Sequence, residues 1–496
     1  MRKITVIILL CCSLTGMALV PPRDPSRWNE WQALITAQQE DLRHSNGRYM
    51  PAARQAVGTR TIIPKILVIM ANFTDYKLLS SRAEVDSMFN GQNWTKDDAK
   101  GSIRQYFHDQ SMGAYNPHFD IVGPITLSQG YAYYGSSSTA SKMVKEACEI
   151  VNDSVDFAQY DLNNDGNVDL VYVLYAGFGE NDPPIKELIP VASNLIWPQY
   201  LSNAGGGPFD GKYIKACEYS NELDGFYSTV DKEFIAGIGV ACHEFGHALG
   251  LPDMYATSSS HPKHKLLGSW DIMCNGPYND DMHSPPSFTA YERFFMGWMT
   301  PTLITEPDTL TLEHIATSNQ AYLISETDTH NMNGASPAPT VFYLLENRQK
   351  QSWDIGIPGN GLMITRINYQ PSLWSSNTIN NTADNLGVDL IEADGLTPNT
   401  DTDDGHFGKP GDLFPLGATE YTAIPEHAIT DITMKDGIIT FAYRGGIQPA
   451  DTDSIVTPVE IPAMMISKPY KTIRDGQLMI HSSGHTYSVY GIKQDD

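Results

Sequence analysis

Apolar positions come in two textures along this chain, and the change falls near residue 300. Before it, runs that are apolar at most positions alternate with stretches of helical spacing. Residues 63–73 (IPKILVIMANF) form the first strongly strand-like run. Residues 119–127 and 168–175 follow, the latter (VDLVYVLY) apolar enough to be buried on both faces of a sheet. Ser102 and Gln105 stand in Ser-x-x-Gln spacing, which predicts a capping box at the start of a helix. After Pro301 the runs are short and alternating, at 309–315, 321–325, 340–345, 361–369 and 388–393, with Gly, Pro, Asn and Asp between them. ITDITMKDGIITFAY predicts a hairpin turning at Asp436-Gly437. The pattern therefore predicts an α/β (α+β) domain over 61–300, an all-β domain over 301–445, a polar linker over 446–462 and a tail over 463–496.

The amino end reads differently. Arg2 and Lys3, an apolar run over 4–14, and small residues at Gly16 and Ala18 have the layout of an export signal over 1–18, so that the processed chain begins near Leu19. Cys11 and Cys12 follow two leucines, which disfavours lipid attachment, because that site wants a small residue before its cysteine. Residues 19–60 are polar and mixed, with a helix expected over 28–43, and are predicted to be a leader or prosegment. No later run reaches the roughly 18 apolar residues of a membrane helix, so the expectation is a secreted or cell-surface protein.

Charge narrows the partners. With 33 Lys+Arg against 58 Asp+Glu the formal net charge is −25, which disfavours phosphate backbones and excludes nucleic acid as an expected partner. Four cysteines follow the signal: Cys148, Cys217, Cys242 and Cys274. In an exported chain they allow three disulfide connectivities, while a chain this large also folds with four free buried thiols; the sequence leaves both open.

The densest chemistry lies in GVACHEFGHALGLPDMY. His243 and His247 are four apart and share one face of a helix, where two imidazoles can grip one Zn²⁺. Glu244 stands beside the first as a base for an attacking water. Gly250 is the residue type that ends a helix in a left-handed turn, swinging the chain back so that Asp253 can supply a third, oxygen ligand. Three protein ligands leave a fourth position open, which is what separates a catalytic zinc from a structural one.

This stretch resembles the metzincin clan of zinc endopeptidases, whose motif is His-Glu-x-x-His-x-x-Gly-x-x-His/Asp, here in its Asp form. Met273 in GSWDIMCNG stands where that clan has a methionine-containing turn beneath the metal. Within the clan, HEFGHALGLPD, GSWDIMCNG, YDLNNDGNVDLVYVLYAGFGE and YERFFMGW together are similar to the immune inhibitor A family of secreted bacterial metallopeptidases, over roughly residues 60–445. The resemblance implies a metzincin-like protease domain followed by the β-domain, a catalytic zinc and protein or peptide substrates.

Other signals are weaker. Asp161, Asn163, Asp165, Asn167 and Asp169 have the oxygen spacing of a calcium loop with a turn glycine at Gly166, but Tyr172 stands where an EF-hand has its bidentate Glu. Ca²⁺ is the expectation, with a plain Asx-rich turn as the alternative. The tail resembles the C-terminal sorting segments of bacterial type IX secretion cargo, or is a small terminal hairpin. Glu346, Asn347, Arg348 and His406 are expected to pair at the surface or cap turns. Within the leader, Glu40, Asp41 and His44 are residue types able to cover a metal. The expected function is a secreted zinc endopeptidase with Glu244 as general base and acid. The alternative is an exported adhesin or glycan-binding protein that keeps a silent zinc fold. Substrate preference and oligomeric state are not legible.

Overall fold

The computed structural model describes residues 17–24, 27, 62–135, 140–184, 194–201, 206–257, 267–396 and 408–446, and the backbone of four strands between 470 and 494. Residues 1–16 of the export signal, the expected helix over 28–43, the trio Glu40, Asp41 and His44, and His406 lie outside the described residues, while Met17 and Ala18, the last two of the expected signal, lie in a strand.

Seven strands form the first sheet: β1 (Met17–Leu19), β2 (Lys65–Asn72), β3 (His118–Thr126), β4 (Val171–Phe178), β5 (Gln199–Leu201), β6 (Cys217–Asp224) and β7 (Phe234–Ile235). Their order is β1-β5-β6-β4-β2-β3, with β7 also on β6. The β3, β2, β4 and β6 ladders are parallel, whereas β5 joins β6 antiparallel and β1 joins β5 antiparallel. Side chains of β2 alternate between two cores. Ile66, Val68 and Met70 face one, Leu67, Ile69 and Ala71 the other. This two-residue period is why the run IPKILVIMANF reads as continuously apolar.

Helices cover both faces: α1 (Arg82–Asn90), α2 (Ile103–Gln110) and α4 (Gly239–Ala248) share a core with Ile66, Val68 and Met70, and α3 (Ala140–Val151) packs on the opposite face. The expected capping box at Ser102 is half formed. Ser102 accepts the amide of Gln105 at 3.1 Å, but the Gln105 side chain turns away to accept the amide of Asn93.

Beyond residue 300 two sheets pack face to face. One holds β8 (Thr302–Leu303), β10 (Tyr322–Ile324), β11 (Val341–Arg348), β12 (Gly361–Asn368) and β13 (Val388–Leu390); the other holds β9 (Asp308–Leu312), β14 (Ile429–Lys435) and β15 (Ile438–Tyr443). The hairpin turns at Asp436 and Gly437, both at positive φ (52° and 79°), as the two-residue turn requires. Short helices at Ile315–Ser318 and Pro371–Ser375 interrupt the strands, so this region is β-rich rather than purely β. Along β11, Phe342 and Leu344 point into the core shared with α4, while Tyr343 and Leu345 point between the two β-sheets. Residues up to Ile447 form one compact unit.

That shared core also encloses charge. Arg348 pairs with Glu346 at 3.0 Å and Asp354 at 2.7 Å, all three fully buried, and Asp354 accepts from His314 at 2.9 Å. The surface pairing expected for Glu346 and Arg348 is corrected: the β11 residues carrying them lie under α5 (Ala290–Met296), whose first amide donates to Glu346 at 2.5 Å. The remaining residues, from Gln448, form a separate unit in which β16 (Tyr470–Arg474), β17 (Gln477–Ser482), β18 (His485–Ser488) and β19 (Lys493–Gln494) make an antiparallel meander.

Among the described residues Cys148, Cys217, Cys242 and Cys274 are all free and buried.

Candidate metal centre

Helix α4 is buried at every one of its ten positions, so its polar side chains must find partners inside the protein. His243 Nδ1 lies 2.7 Å from the carbonyl of Ile272, and His247 Nδ1 lies 2.8 Å from the carbonyl of Leu251. A carbonyl only accepts, so each Nδ1 carries the ring proton and each Nε2 is bare. Gly250, at φ 107°, makes the second contact available. Its amide and that of Leu251 donate to His247 and Gly246 carbonyls, and the chain folds back under the helix.

The bare nitrogens converge. His243 Nε2 and His247 Nε2 are 3.2 Å apart, and Asp253 Oδ1 lies 3.5 and 3.1 Å from them. Asp253 Oδ1 has no hydrogen-bond donor. Three lone pairs facing each other in a dry site repel one another unless a cation stands among them, so the donor set fits a divalent metal with two imidazoles and one carboxylate. Among the described residues this is the one cluster of His, Cys, Asp and Glu with metal-binding spacing.

Support comes from residues the sequence did not single out. Asn377, in the turn after the Pro371–Ser375 helix, donates its Nδ2 to Asp253 Oδ2 at 2.6 Å and accepts the amide of Asp253 at 2.7 Å. Next to it Asn380 caps the carbonyl of Met254, and Asn381 accepts the amide of Thr257. Nothing in the spacing of 253 and 377 could have revealed this latch. Met273 packs its sulfur against Gly246, where a Cβ would meet it at 2.6 Å, and its own carbonyl accepts the amide of Met254 at 2.8 Å. The methionine thus packs against the helix at Gly246, one residue before the second histidine.

Glu244 is fully buried, and burial together with the nearby Asp253 charge holds its carboxyl well above the usual carboxylate range. Its Oε1 accepts the amide of Val20 at 3.2 Å. That amide belongs to an extended segment. Met17, Ala18 and Leu19 pair with Leu201, Tyr200 and Gln199 of β5. Beyond Val20, the Val20 carbonyl accepts from Trp197 Nε1 at 2.9 Å, the Pro21 carbonyl accepts from the Tyr278 hydroxyl, and the Arg23 amide donates to Asn181.

The expected calcium residues fold into a tight loop. Asp161 accepts the amides of Asp165 and Gly166, Asp165 accepts the amide of Asn167, and Asp169 accepts the amide of Leu162. Asn163 joins by donating to Asp165 and Asp169. Two ammonium groups also reach the loop, Lys212 on Asp161 at 2.7 Å and Lys215 on Asp165 at 3.4 Å.

A buried helix with two bare imidazoles, a returning carboxylate and a second buried carboxylate beside them is the arrangement expected at the centre of a metallopeptidase. Residues 54–299 match the family model described as the catalytic domain of immune inhibitor A peptidases, M6. The match places residues 54–299 in an immune inhibitor A-like family. It is 26% identical over 290 residues to Immune inhibitor A of Bacillus thuringiensis subsp. alesti, covering 49% of this chain and 41% of that protein. It is 24% identical over 238 residues to the Pre-pro-metalloprotease PrtV of Vibrio cholerae serotype O1 (strain M66-2), covering 42% of this chain and 25% of that protein. The matches span less than half of either relative. No helix among the described residues is long and apolar enough to cross a membrane.

Proposed function

We propose that this chain is an exported zinc endopeptidase held latent by the segment that follows its export signal. The observation that carries the reading is the convergence of three lone pairs, from His243, His247 and Asp253, next to a buried Glu244 that already meets the amide of an extended peptide. His243, His247 and Asp253 would hold the metal, a nitrogen and oxygen set that suits Zn²⁺. Bound zinc supplies a Lewis acid that polarises the scissile carbonyl and acidifies the attacking water. Glu244, adjacent to the first histidine, takes the proton from that water and delivers it to the leaving amine. The backbone groups of β5, with Trp197 and Tyr278, orient an extended peptide across the base.

Latency rests on occupancy: while Val20 sits on Glu244, no other peptide can. Export by residues 1–18, calcium in the Asp161–Asp169 loop, and type IX sorting by the tail belong to the same reading. A tail that closes its own four-stranded meander supports the last of these. The rival reading, an adhesin with a silent metal fold, has no use for the buried base. Casein digestion by the purified protein, lost in Glu244→Gln with zinc retained, separates the two.

A further inference from the structure

Three aspartates from three parts of the fold converge on one guanidinium. Arg23 Nη1 lies 3.2 Å from Asp182 and 2.9 Å from Asp224, and its Nη2 lies 3.1 Å from Asp281. The cation also sits over the rings of Phe226 and Tyr227, 4.7 and 5.4 Å from their centroids. Asp182 follows β4, Asp224 ends β6, and Asp281 lies in the 3₁₀ turn Gly276–Met282 that follows Met273. Backbone amides hold the pocket in shape: Gly225 donates to Asp182 and Tyr227 donates to Asp224, while the Tyr227 hydroxyl donates to Asp281. Two of the three carboxylates are nearly sealed from water, at 5% and 4% side-chain exposure. Burial pushes Asp182 up to about 6 against the pull of Arg23. Desolvated carboxylates set side by side need a cation.

We propose that Asp182, Asp224 and Asp281, walled by Phe226 and Tyr227, form a substrate subsite for a guanidinium side chain, three residues beyond the one whose N–H meets Glu244. The inference rests on the peptidase reading. What places the subsite is the backbone that carries Arg23. On one side of Glu244 it adds a strand to the sheet edge at β5; on the other it is held by Trp197, Tyr278 and Asn181. An extended substrate running the same way lays its own side chain in the same pocket once the resident arginine has left. Arginine suits it better than lysine, because a planar fork reaches three carboxylates with two nitrogens and stacks on rings.

The test uses the chain lacking residues 1–24, which empties both the β5 edge and the aspartate pocket, with Glu244→Gln to prevent turnover; circular dichroism checks that it is folded. Fluorescein-labelled MALVPPRD is compared by anisotropy with the same peptide carrying citrulline, which keeps the shape and removes the charge. The arginine peptide should bind at least about tenfold more tightly. Adding Asp224→Asn should bring the two affinities together. Equal affinities in the parent variant, or no measurable binding of either peptide, overturn the subsite. Should the shortened chain fail to fold, the full chain with Val20→Pro and Arg23→Ala, which removes the amide on Glu244 and the guanidinium from the pocket, serves instead. Arginine-selective binding with no cleavage of either peptide by the same shortened chain, its Glu244 intact, would keep the subsite and refute the peptidase. Cleavage at equal rates, with equal binding, would do the reverse.

Discussion

Asp253 and Asn377 exchange two hydrogen bonds across 124 positions of sequence, side chain to side chain at 2.6 Å and amide to side chain at 2.7 Å. The β-rich half of the unit thereby fixes which oxygen of Asp253 faces the histidines. Asn377→Ala should leave the fold intact and weaken zinc binding by roughly 10- to 100-fold, as losing an outer hydrogen bond to a metal ligand does. Chelator competition reads the affinity directly. Unchanged affinity would show that Asp253 needs no such guide.

Ligation and catalysis separate at Glu244. Glu244→Gln keeps shape and leaves the three ligands in place, but an amide takes no proton, so activity on casein should fall about 10²- to 10⁴-fold while zinc stays near one per chain. His247→Ala should lose metal and activity together. A Glu244→Gln protein free of contaminants that digests casein at the normal rate would sink the mechanism.

Deleting residues 19–24 should raise the activity of the intact precursor, because it removes Val20 from Glu244 and Arg23 from its aspartates. Circular dichroism confirms that the shortened chain is folded. A folded deletion with no more activity than the parent would show that the segment does not restrain the enzyme.

Calcium must compete with lysine at the Asp161–Asp169 loop. Saturation at a hundredfold excess over Kd adds about 2.7 kcal/mol to stability, visible as a rise in melting temperature. Lys212→Gln should enlarge the rise, since it removes the ammonium from Asp161, and Asp165→Ala should abolish it. Identical melting in calcium and calcium-free buffer would remove the ion from the account.

Arg348→Ala leaves Glu346 and Asp354 buried without their cation, and should destabilise the unit by about 3–5 kcal/mol. Denaturant unfolding measures it. A loss under about 1 kcal/mol would mean that water or a proton compensates both acids.

The candidate metal cluster was legible because its parts are local: His243, Glu244, His247, Gly250 and Asp253 span eleven residues, and helix geometry alone sets most of their spacing. The core strands were legible for a similar reason, as their periodicity is written residue by residue. What escaped depends on contacts between distant segments. Asn377 looks like any turn asparagine, and Asp182, Asp224 and Asp281 are three among 58 acids until the sheet and the turn after Met273 gather them. Glu346 and Arg348 misled because charged residues are mostly exposed, and only the cover provided by α5 makes them interior. Gln105 shows the limit of motif reading, since a neighbouring loop outbid the helix cap for its side chain.

The four thiols set how this protein ages. Folded, each is sealed and held protonated by burial, Cys242 beside the first histidine and Cys274 beside Met273 included, so oxidants find no thiolate to attack. Unfolded in air, all four become ordinary thiols, and they can close mismatched bridges faster than the mixed sheet reassembles. Heat inactivation in air should then run one way, with a lifetime governed by the unfolding rate, while the same heating under reductant should leave more molecules able to return.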